Sequence, residues 1–330
     1  MALYLSEDDV ARLLKMEDCI ASVEEAFRQW AAGSASNRPR SRTRVRGGTL
    51  HVLPAASEVW GRMAVKAYAS TRAGTRFVVL LFDLRTSDLL AVLEADRLGQ
   101  IRTGAASGLA TRLMARPDAR TAAVIGSGRQ ARGQARGIAA VRRLDEIRAY
   151  GRDRDRLLAF CSEVRSACGV PVRPAASAEE AVRGADIVAT ATSSPDPVLR
   201  GEWLEPGTHV NAVGSNTARR REIDTETVRR ADRIVVDDVE QARLEAGDLM
   251  PPGEGPAAAG ERQGPARSVA LERAVPLADL VSGKAPARRS DREITLFESL
   301  GLGLEDLAAA TTVFDGAVAA GAGRPLPAGA

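Results

Sequence analysis

The sequence predicts an α/β protein: a doubly wound parallel sheet plus a smaller α+β domain that the sheet interrupts. A short apolar run at residues 122–125 ends in Gly126-Ser127-Gly128-Arg129-Gln130-Ala131, a G-x-G-x-x-A turn. Strand and helix signals then alternate to about residue 245, the order that a parallel sheet with crossover helices requires. Residues 38–94 differ in kind: short alternating runs follow one another through Gly-containing and polar turns, which reads as a mostly antiparallel meander.

Each element has a local reason. Tyr4-Leu5 reads as a short strand, and Ser6 as the N-cap of a helix with Asp8 and Asp9 in its first turn, where carboxylates meet unsatisfied N–H groups. Ile20, Val23, Ala26, Phe27 and Trp30 share one face of a second helix over residues 16–32 and are core. Arg40, Arg42, Arg44 and Arg46 alternate along one side of a strand, Gly47-Gly48 turns the chain, and residues 49–53 return, with Pro54 as the stop. Residues 62–69, 76–83 and 89–94 continue the meander. A helix over 96–115 carries a face of small residues, Gly104, Ser107, Gly108 and Thr111, and Arg116-Pro117-Asp118 ends it.

The smaller domain, residues 1–116, gives way there to the parallel sheet, residues 117–290. Its strands are expected at 122–125, 146–150, 170–173, 186–191, 209–213 and 233–237. Helices are expected over 132–143 and from about residues 154, 178, 224 and 239. Residues 250–268, rich in Pro and Gly, read as a flexible surface loop. After a short helix at 277–282, residues 291–330 hold a strand at 293–297 and a helix at 304–320. They are expected to return to the first domain and make it discontinuous, with a frayed tail from Gly321.

Composition excludes several classes of function. Of 330 residues, 46 are Lys or Arg and 43 Asp or Glu, so the net charge is only +3, and neither a basic block nor an aromatic platform points to nucleic acid. No apolar run approaches the roughly 18 residues a membrane span needs. Cys19, Cys161 and Cys168 form no disulfide framework, and the first residues lack a signal-peptide pattern, so a cytoplasmic location is expected. His51 and His209 lie far apart with no clustered Cys, so no metal site is expected.

The glycine turn points to a dinucleotide, and the fold to the Rossmann type. Gly126 permits the tight bend, Gly128 admits a pyrophosphate close to backbone, and Ala131 keeps helix against strand. Arg129 and Gln130 lie in the turn just ahead of the helix at 132–143, whose N-terminus faces the phosphates. The second strand runs out into Tyr150-Gly151-Arg152-Asp153-Arg154. Gly151 takes the place of the carboxylate that would bond a ribose 2′-hydroxyl, and Arg152 and Arg154 can meet a 2′-phosphate. NADP(H) is favoured, with NAD(H) possible through Asp153. Turns after two later strands, at Thr192-Ser193 and Val213-Gly214, should line the nicotinamide, because ligands sit at the carboxyl ends of strands in open α/β sheets.

A nicotinamide enzyme acting on a small amino or imino acid must also hold a carboxylate, and Arg40, Lys66 and Arg102 are the candidates. Lys66 is flanked by Met63, Ala64, Val65 and Ala67, so it should be partly buried and in need of a partner. Asn216 follows the Val213-Gly214 turn and can bond a substrate amine or a water, but it cannot act as a base near neutral pH.

These segments, with Leu50-His51-Val52-Leu53-Pro54, Leu80-Leu81-Phe82-Asp83, Ile101-Arg102-Thr103-Gly104, His209-Val210-Asn211-Ala212 and Arg221-Glu222-Ile223-Asp224, resemble the ornithine cyclodeaminase/μ-crystallin family over almost the whole chain. The resemblance implies an NAD(P)-dependent homodimer whose first domain binds substrate and makes the dimer. It implies that Arg40, Lys66 and Arg102 form the carboxylate group, with His51 beside substrate and Thr103 beside cofactor. His51 stands where cyclodeaminases carry a glutamate, and Asn216 where they carry an aspartate. Reduction of the C=N of a small 2-imino acid or cyclic ketimine, or oxidation of the L-amino acid, is therefore expected ahead of ammonia-releasing cyclodeamination or of cofactor binding without turnover. Lys66 and Asn216 are the expected catalytic side chains.

Overall fold

In the computed structural model, which describes residues 2–250 and 268–327, the chain divides into two units. One comprises Met1–Ala105 with Leu302–Ala330, the other Ala106–Gly301.

The first unit begins with β1 (Leu3–Leu5), α1 (Glu7–Leu13) and α2 (Met16–Ala31). Ser6 and Asp9 cap α1 reciprocally, each side chain accepting from the other's backbone N–H. Then come β2 (Ala35–Asn37), β3 (Ser41–Val45), β4 (Gly48–Ser57), β5 (Arg62–Thr71), β6 (Gly74–Asp83) and β7 (Leu89–Glu94), before α3 (Asp96–Met114), within which the two units divide. β4 to β7 form the antiparallel meander, and β1 joins β7 in parallel.

Pro54 does not stop β4, contrary to the sequence reading. The strand runs through it to Ser57, and the edge is shared by two short neighbours, β3 ending its pairing at Val52 and β2 beginning at Ala55. The Pro54 carbonyl accepts from Arg38 N on that side, so the missing N–H of proline falls in the gap between β3 and β2.

The second unit begins with β8 (Thr121–Ile125), α4 (Arg129–Val141), β9 (Glu146–Tyr150), α5 (Arg154–Cys168) and β10 (Val172–Pro174). It continues through α6 (Ala178–Val182), β11 (Ile187–Thr190), β12 (His209–Ala212), α7 (Thr225–Arg230), β13 (Arg233–Val236), α8 (Val239–Glu245), α9 (Val269–Arg273), β14 (Val275–Pro276), α10 (Leu277–Val281) and β15 (Thr295–Glu298). All pair in parallel, in the order β10-β9-β8-β11-β12-β15-β13-β14. The strand order reverses at β8, the switch point where such sheets open a ligand crevice.

Two expectations are corrected here. α4 begins at Arg129, not at residue 132, because Gly128 already serves as its N-cap. The strand expected to return to the first domain is β15, which pairs with β12 and β13 in the parallel sheet with Leu296 and Phe297 fully buried. The units accordingly divide at residues 105/106 and 301/302 rather than at 116/117 and 290/291. The interior of the Pro- and Gly-rich loop, residues 251–267, lies outside the described residues; its end Ser268 caps α9.

α11 (Gly303–Ala320) belongs to the first unit, where it packs on α2, β4, β5 and β6. Its first residue lies so close to β4 that a Cβ on Gly303 would come within 2.9 Å of the Leu53 and Pro54 carbonyl oxygens. The tail is also corrected: β16 (Arg324–Pro325) pairs antiparallel with β1, so the chain past Gly321 is tied into the sheet as far as Pro325.

Candidate active site

In the first unit, pairing fixes the place of Lys66. On β5, Ala64 and Lys66 point to the buried face while Val65 and Ala67 point to the other. Lys66 pairs with Leu53, the residue against which Gly303 rests. The first turn of α11 therefore lies over Lys66, and its Nζ bonds Asp306 Oδ1 at 2.9 Å. Asn37 Oδ1 accepts from Leu304 N at 3.2 Å and so caps the helix start. Arg102, from α3, donates through Nε to Asp306 at 2.8 Å and through Nη1 to Glu305 at 2.7 Å. Lys66 is 3% exposed, Arg102 6%, Arg40 7%, and both carboxylates 0%.

The electrostatics follow from this burial. Lys66 is pushed down to about 8, first by desolvation and then by Arg102, with Asp306 opposing. Burial works against the Arg102 cation too, but Asp306 and Glu305 outweigh it and its pKa is raised. Burial raises Glu305, against the pull of Arg102. Arg102 Nη2 makes no hydrogen bond among the described residues, so a buried guanidinium keeps an open donor. His51 pairs with Tyr68 across β4 and β5 and stacks on it, ring centroids 4.1 Å apart. Burial, then Arg42, Arg40 and Arg44, lower His51 to about 4, so the ring is neutral. Thr103 is buried and its hydroxyl donates to Gly99 O at 2.7 Å.

The second unit carries the glycine turn. Gly126 has φ 120° and its N–H donates to Tyr150 O at 2.8 Å; a Cβ there would sit 2.3 Å from Ala191 O. A Cβ on Gly128 would meet nothing within 4 Å. The protein itself thus does not need glycine at 128, whereas a phosphate lying against the α4 N-terminus does. Arg129 is exposed and Gln130 half-buried in the first turn of α4, and Ala131 is fully buried against the sheet. Arg132 holds the turn from behind, donating to Ser127 O at 2.8 Å and Gly128 O at 3.1 Å. At the end of β9, a Cβ on Gly151 would lie 2.9 Å from Ser127 Oγ. Asp153 accepts from Arg156 N and caps α5, while Arg152 and Arg154 are exposed.

The turns after β11 and β12 are joined by a residue to which the sequence reading gave no role. Glu222 accepts from Thr192 N at 2.5 Å and from Gly214 N at 2.6 Å. Ser193 and Asn216 are exposed on these turns, and Val213 is buried. His209 is part of the buried core, bonded to Thr295 and Asn211 and pushed down to about 3 by burial and Arg288. Among the described residues no group of three or more His, Cys, Asp or Glu is arranged to hold a metal. No helix among them is long and apolar enough to cross a membrane.

The structure brings the expected Lys66 and Arg102 together on Asp306, with Glu305 beside them; the sequence reading gave no role to Asp306, Glu305 or Glu222. Acids in a first helical turn ordinarily face water; the one available signal was that Glu305-Asp306 open a largely apolar helix. Comparison with known proteins matches residues 2–321 to the ornithine cyclodeaminase/mu-crystallin family. The chain belongs to that family. It is 31% identical to a Delta(1)-pyrroline-2-carboxylate reductase of Bacillus cereus, over 98% of this chain and 99% of that one. It is likewise 31% identical to an alanine dehydrogenase of Archaeoglobus fulgidus, over 98% of each. The structure of Thermococcus litoralis Delta(1)-pyrroline-2-carboxylate reductase, in complex with NADH and L-proline, superposes with a TM-score of 0.88 at 32% identity, covering 98% of this chain and 100% of that one.

Proposed function

We propose that this family member is an NAD(P)H-dependent oxidoreductase that reduces the C=N of a small cyclic 2-imino acid of the pyrroline-2-carboxylate type, or oxidises the matching L-amino acid. The observation that carries the reading is a buried Lys66–Arg102 pair, tied to Asp306, in which Arg102 retains an open donor. A desolvated guanidinium presents that donor to a carboxylate far more strongly than an exposed one would. The relatives named above reduce or oxidise molecules of this size.

The bound nicotinamide supplies or accepts the hydride. Arg102, with Arg40 and Lys66, holds the substrate carboxylate and so orients the imine carbon. Lys66, with its pKa lowered to about 8, is poised near neutrality to pass a proton to the imine nitrogen. His51 and Tyr68 form a flat, neutral wall for the ring, and Asn216 bonds the nitrogen or a water. The glycine turn, Arg129, Gln130 and the turns at Thr192-Ser193 and Val213-Gly214 hold the cofactor.

We further infer NADP(H) as the preferred cofactor, because Asp153 is engaged as a helix cap while Arg152 and Arg154 are free to reach a 2′-phosphate. A homodimer is supported by the outer face of the antiparallel sheet, where Val52, Val65, Ala67, Val78 and Leu80 are only half-buried. The free cysteines fit a cytoplasmic enzyme.

A panel of cyclic imines and L-amino acids, followed by NAD(P)H absorbance with each cofactor, tests the reading. Consumption of NADPH with pyrroline-2-carboxylate is expected. Ammonia release from ornithine without net absorbance change would assign a cyclodeaminase instead. Tight cofactor binding without turnover would assign a binding protein.

A further inference from the structure

The parallel ladder between β11 and β12 ends with Val213 N donating to Thr190 O. Beyond it the two chains part, and Thr192 N and Gly214 N have no strand to pair with. Both donate to opposite oxygens of one carboxylate, Glu222. That carboxylate is 1% exposed. The site is made for it: a Cβ on Gly214 would lie 2.3 to 2.4 Å from the Glu222 carboxylate atoms, so only glycine admits the bond.

Glu222 is itself held on every side. Its own N–H and that of Ile223 donate to Asp248 Oδ1, at 2.7 and 2.9 Å. Its carbonyl accepts from Val198 N and Leu199 N, at 2.8 and 3.0 Å. A fixed backbone aims a charged acceptor at the one place where the two turns can be joined. Charge-assisted bonds to backbone N–H are among the stronger bonds available to a buried carboxylate. The joined turns are those at the carboxyl ends of β11 and β12.

We propose that Glu222 is a positioning residue for the nicotinamide end of the cofactor, locking the Thr192 and Gly214 turns together as one rigid wall. The proposal rests on the dinucleotide reading above. It separates two functions of the parallel sheet: the α4 N-terminus and glycine turn grip the phosphates, while Glu222 sets the geometry of the reacting ring.

The test compares the natural chain with Glu222→Gln for NADPH, for ADP-ribose and 2′,5′-ADP, which lack the nicotinamide, and for steady-state turnover. The amide keeps the shape but offers one acceptor, leaving the second N–H facing an NH₂ group. NADPH affinity and kcat are expected to fall about tenfold or more, while the affinities of the two fragments stay within about twofold. Equal losses for fragments and dinucleotide, or no loss at all, would overturn the proposal. A natural chain that binds no dinucleotide would instead overturn the functional reading beneath it. If Glu222→Gln does not fold, amide hydrogen exchange on the natural chain decides. Thr192 and Gly214 should be protected together and gain protection with NADPH; exchange as fast as exposed Ser193 would refute the lock.

Discussion

In the first unit the buried carboxylates Glu305 and Asp306 face cations; in the second, Asp248, Asp237 and Glu222 face backbone N–H groups. Asp237 Oδ2, for example, accepts from both Leu300 N and Gly301 N at 2.7 Å. Both arrangements satisfy a buried charge, but they leave different capacity behind. A backbone N–H has one bond to give and is then committed. Lysine and arginine carry several, so a cation held by a carboxylate can still take a second anion. The first arrangement therefore suits substrate binding, and the second suits fixing the chain around a cofactor.

The sharpest way to break the comparison is at the cations. Lys66→Met should lower turnover by about 10²–10⁴-fold while leaving NADPH affinity unchanged, read by steady-state kinetics and fluorescence titration. In the natural chain the reductive rate should fall as pH rises past the value of about 8 for Lys66, since the proton it would donate is lost. Turnover in Lys66→Met equal to the natural chain would remove Lys66 from the chemistry. Asp306→Ala strikes the same cluster from the other side. It leaves Lys66 and Arg102 buried without their shared carboxylate, and should destabilise the fold by about 3–5 kcal/mol in denaturant melts.

How far this contrast was legible depends on how local each cause is. The glycine turn, the strands around it and the capped helices are set by neighbours in sequence, and the structure reproduces them. Lys66 was legible because a charge among apolar strand residues is itself an anomaly. Its partner Asp306 was not, being 240 residues away and disguised as an ordinary first-turn acid. Glu222 stood only within a resembling segment, and its role was illegible for a different reason. Its partners are backbone N–H groups at 192 and 214, which have no residue identity to read. Pro54 misled because its effect depends on what lies across the sheet edge, and β2 was not foreseen.

Two glycines sharpen the second half of the comparison. Gly126→Ala would force a side chain into φ 120° and against Ala191 O, so a stability loss of about 2–4 kcal/mol is expected with loss of cofactor binding. Gly128→Ala meets no protein atom within 4 Å and gives up only the preference for Gly over Ala at an N-cap, so it should weaken dinucleotide binding with a stability loss well below that of Gly126→Ala. If both variants lost only stability, the turn would be structural and the cradle reading would fail.

A smaller effect comes from protons. Burial, assisted by Glu222, raises Asp248 from 3.8 to about 7, against its backbone bonds and the nearby Arg221. Glu298, beside Asp248 and Asp237, is raised well above its ordinary range by burial and these acids. A raised carboxyl binds its proton more tightly when folded. Its stabilising contribution is full below 3.8 and is lost as pH rises through about 7. His209, lowered from 6.5 to about 3, has the opposite slope in part of that range. Comparison with Asp248→Asn isolates the carboxyl, since the amide oxygen can still accept from Glu222 N and Ile223 N. The variant should lose about 1–2 kcal/mol less stability than the natural chain between about pH 4 and pH 7, by urea unfolding.

The smallest expected effect tests which dinucleotide the second unit prefers. Asp153 is bound to the start of α5, and the Gly151 position leaves no carboxylate in its place, so on the proposed reading discrimination falls to exposed Arg152 and Arg154. Exposed guanidinium–phosphate contacts are worth little apiece and are screened by salt. Replacing both arginines with Ala should weaken NADPH by about tenfold, leave NADH nearly unchanged, and do so less as ionic strength rises. An equal loss for both cofactors would show that the arginines bind the shared pyrophosphate. A gain for NADH would instead mean that they exclude an unphosphorylated ribose. The first result would move cofactor choice from the end of β9 to another part of the second unit, whereas the second would keep it there by exclusion; both leave the buried cations of the first unit untouched.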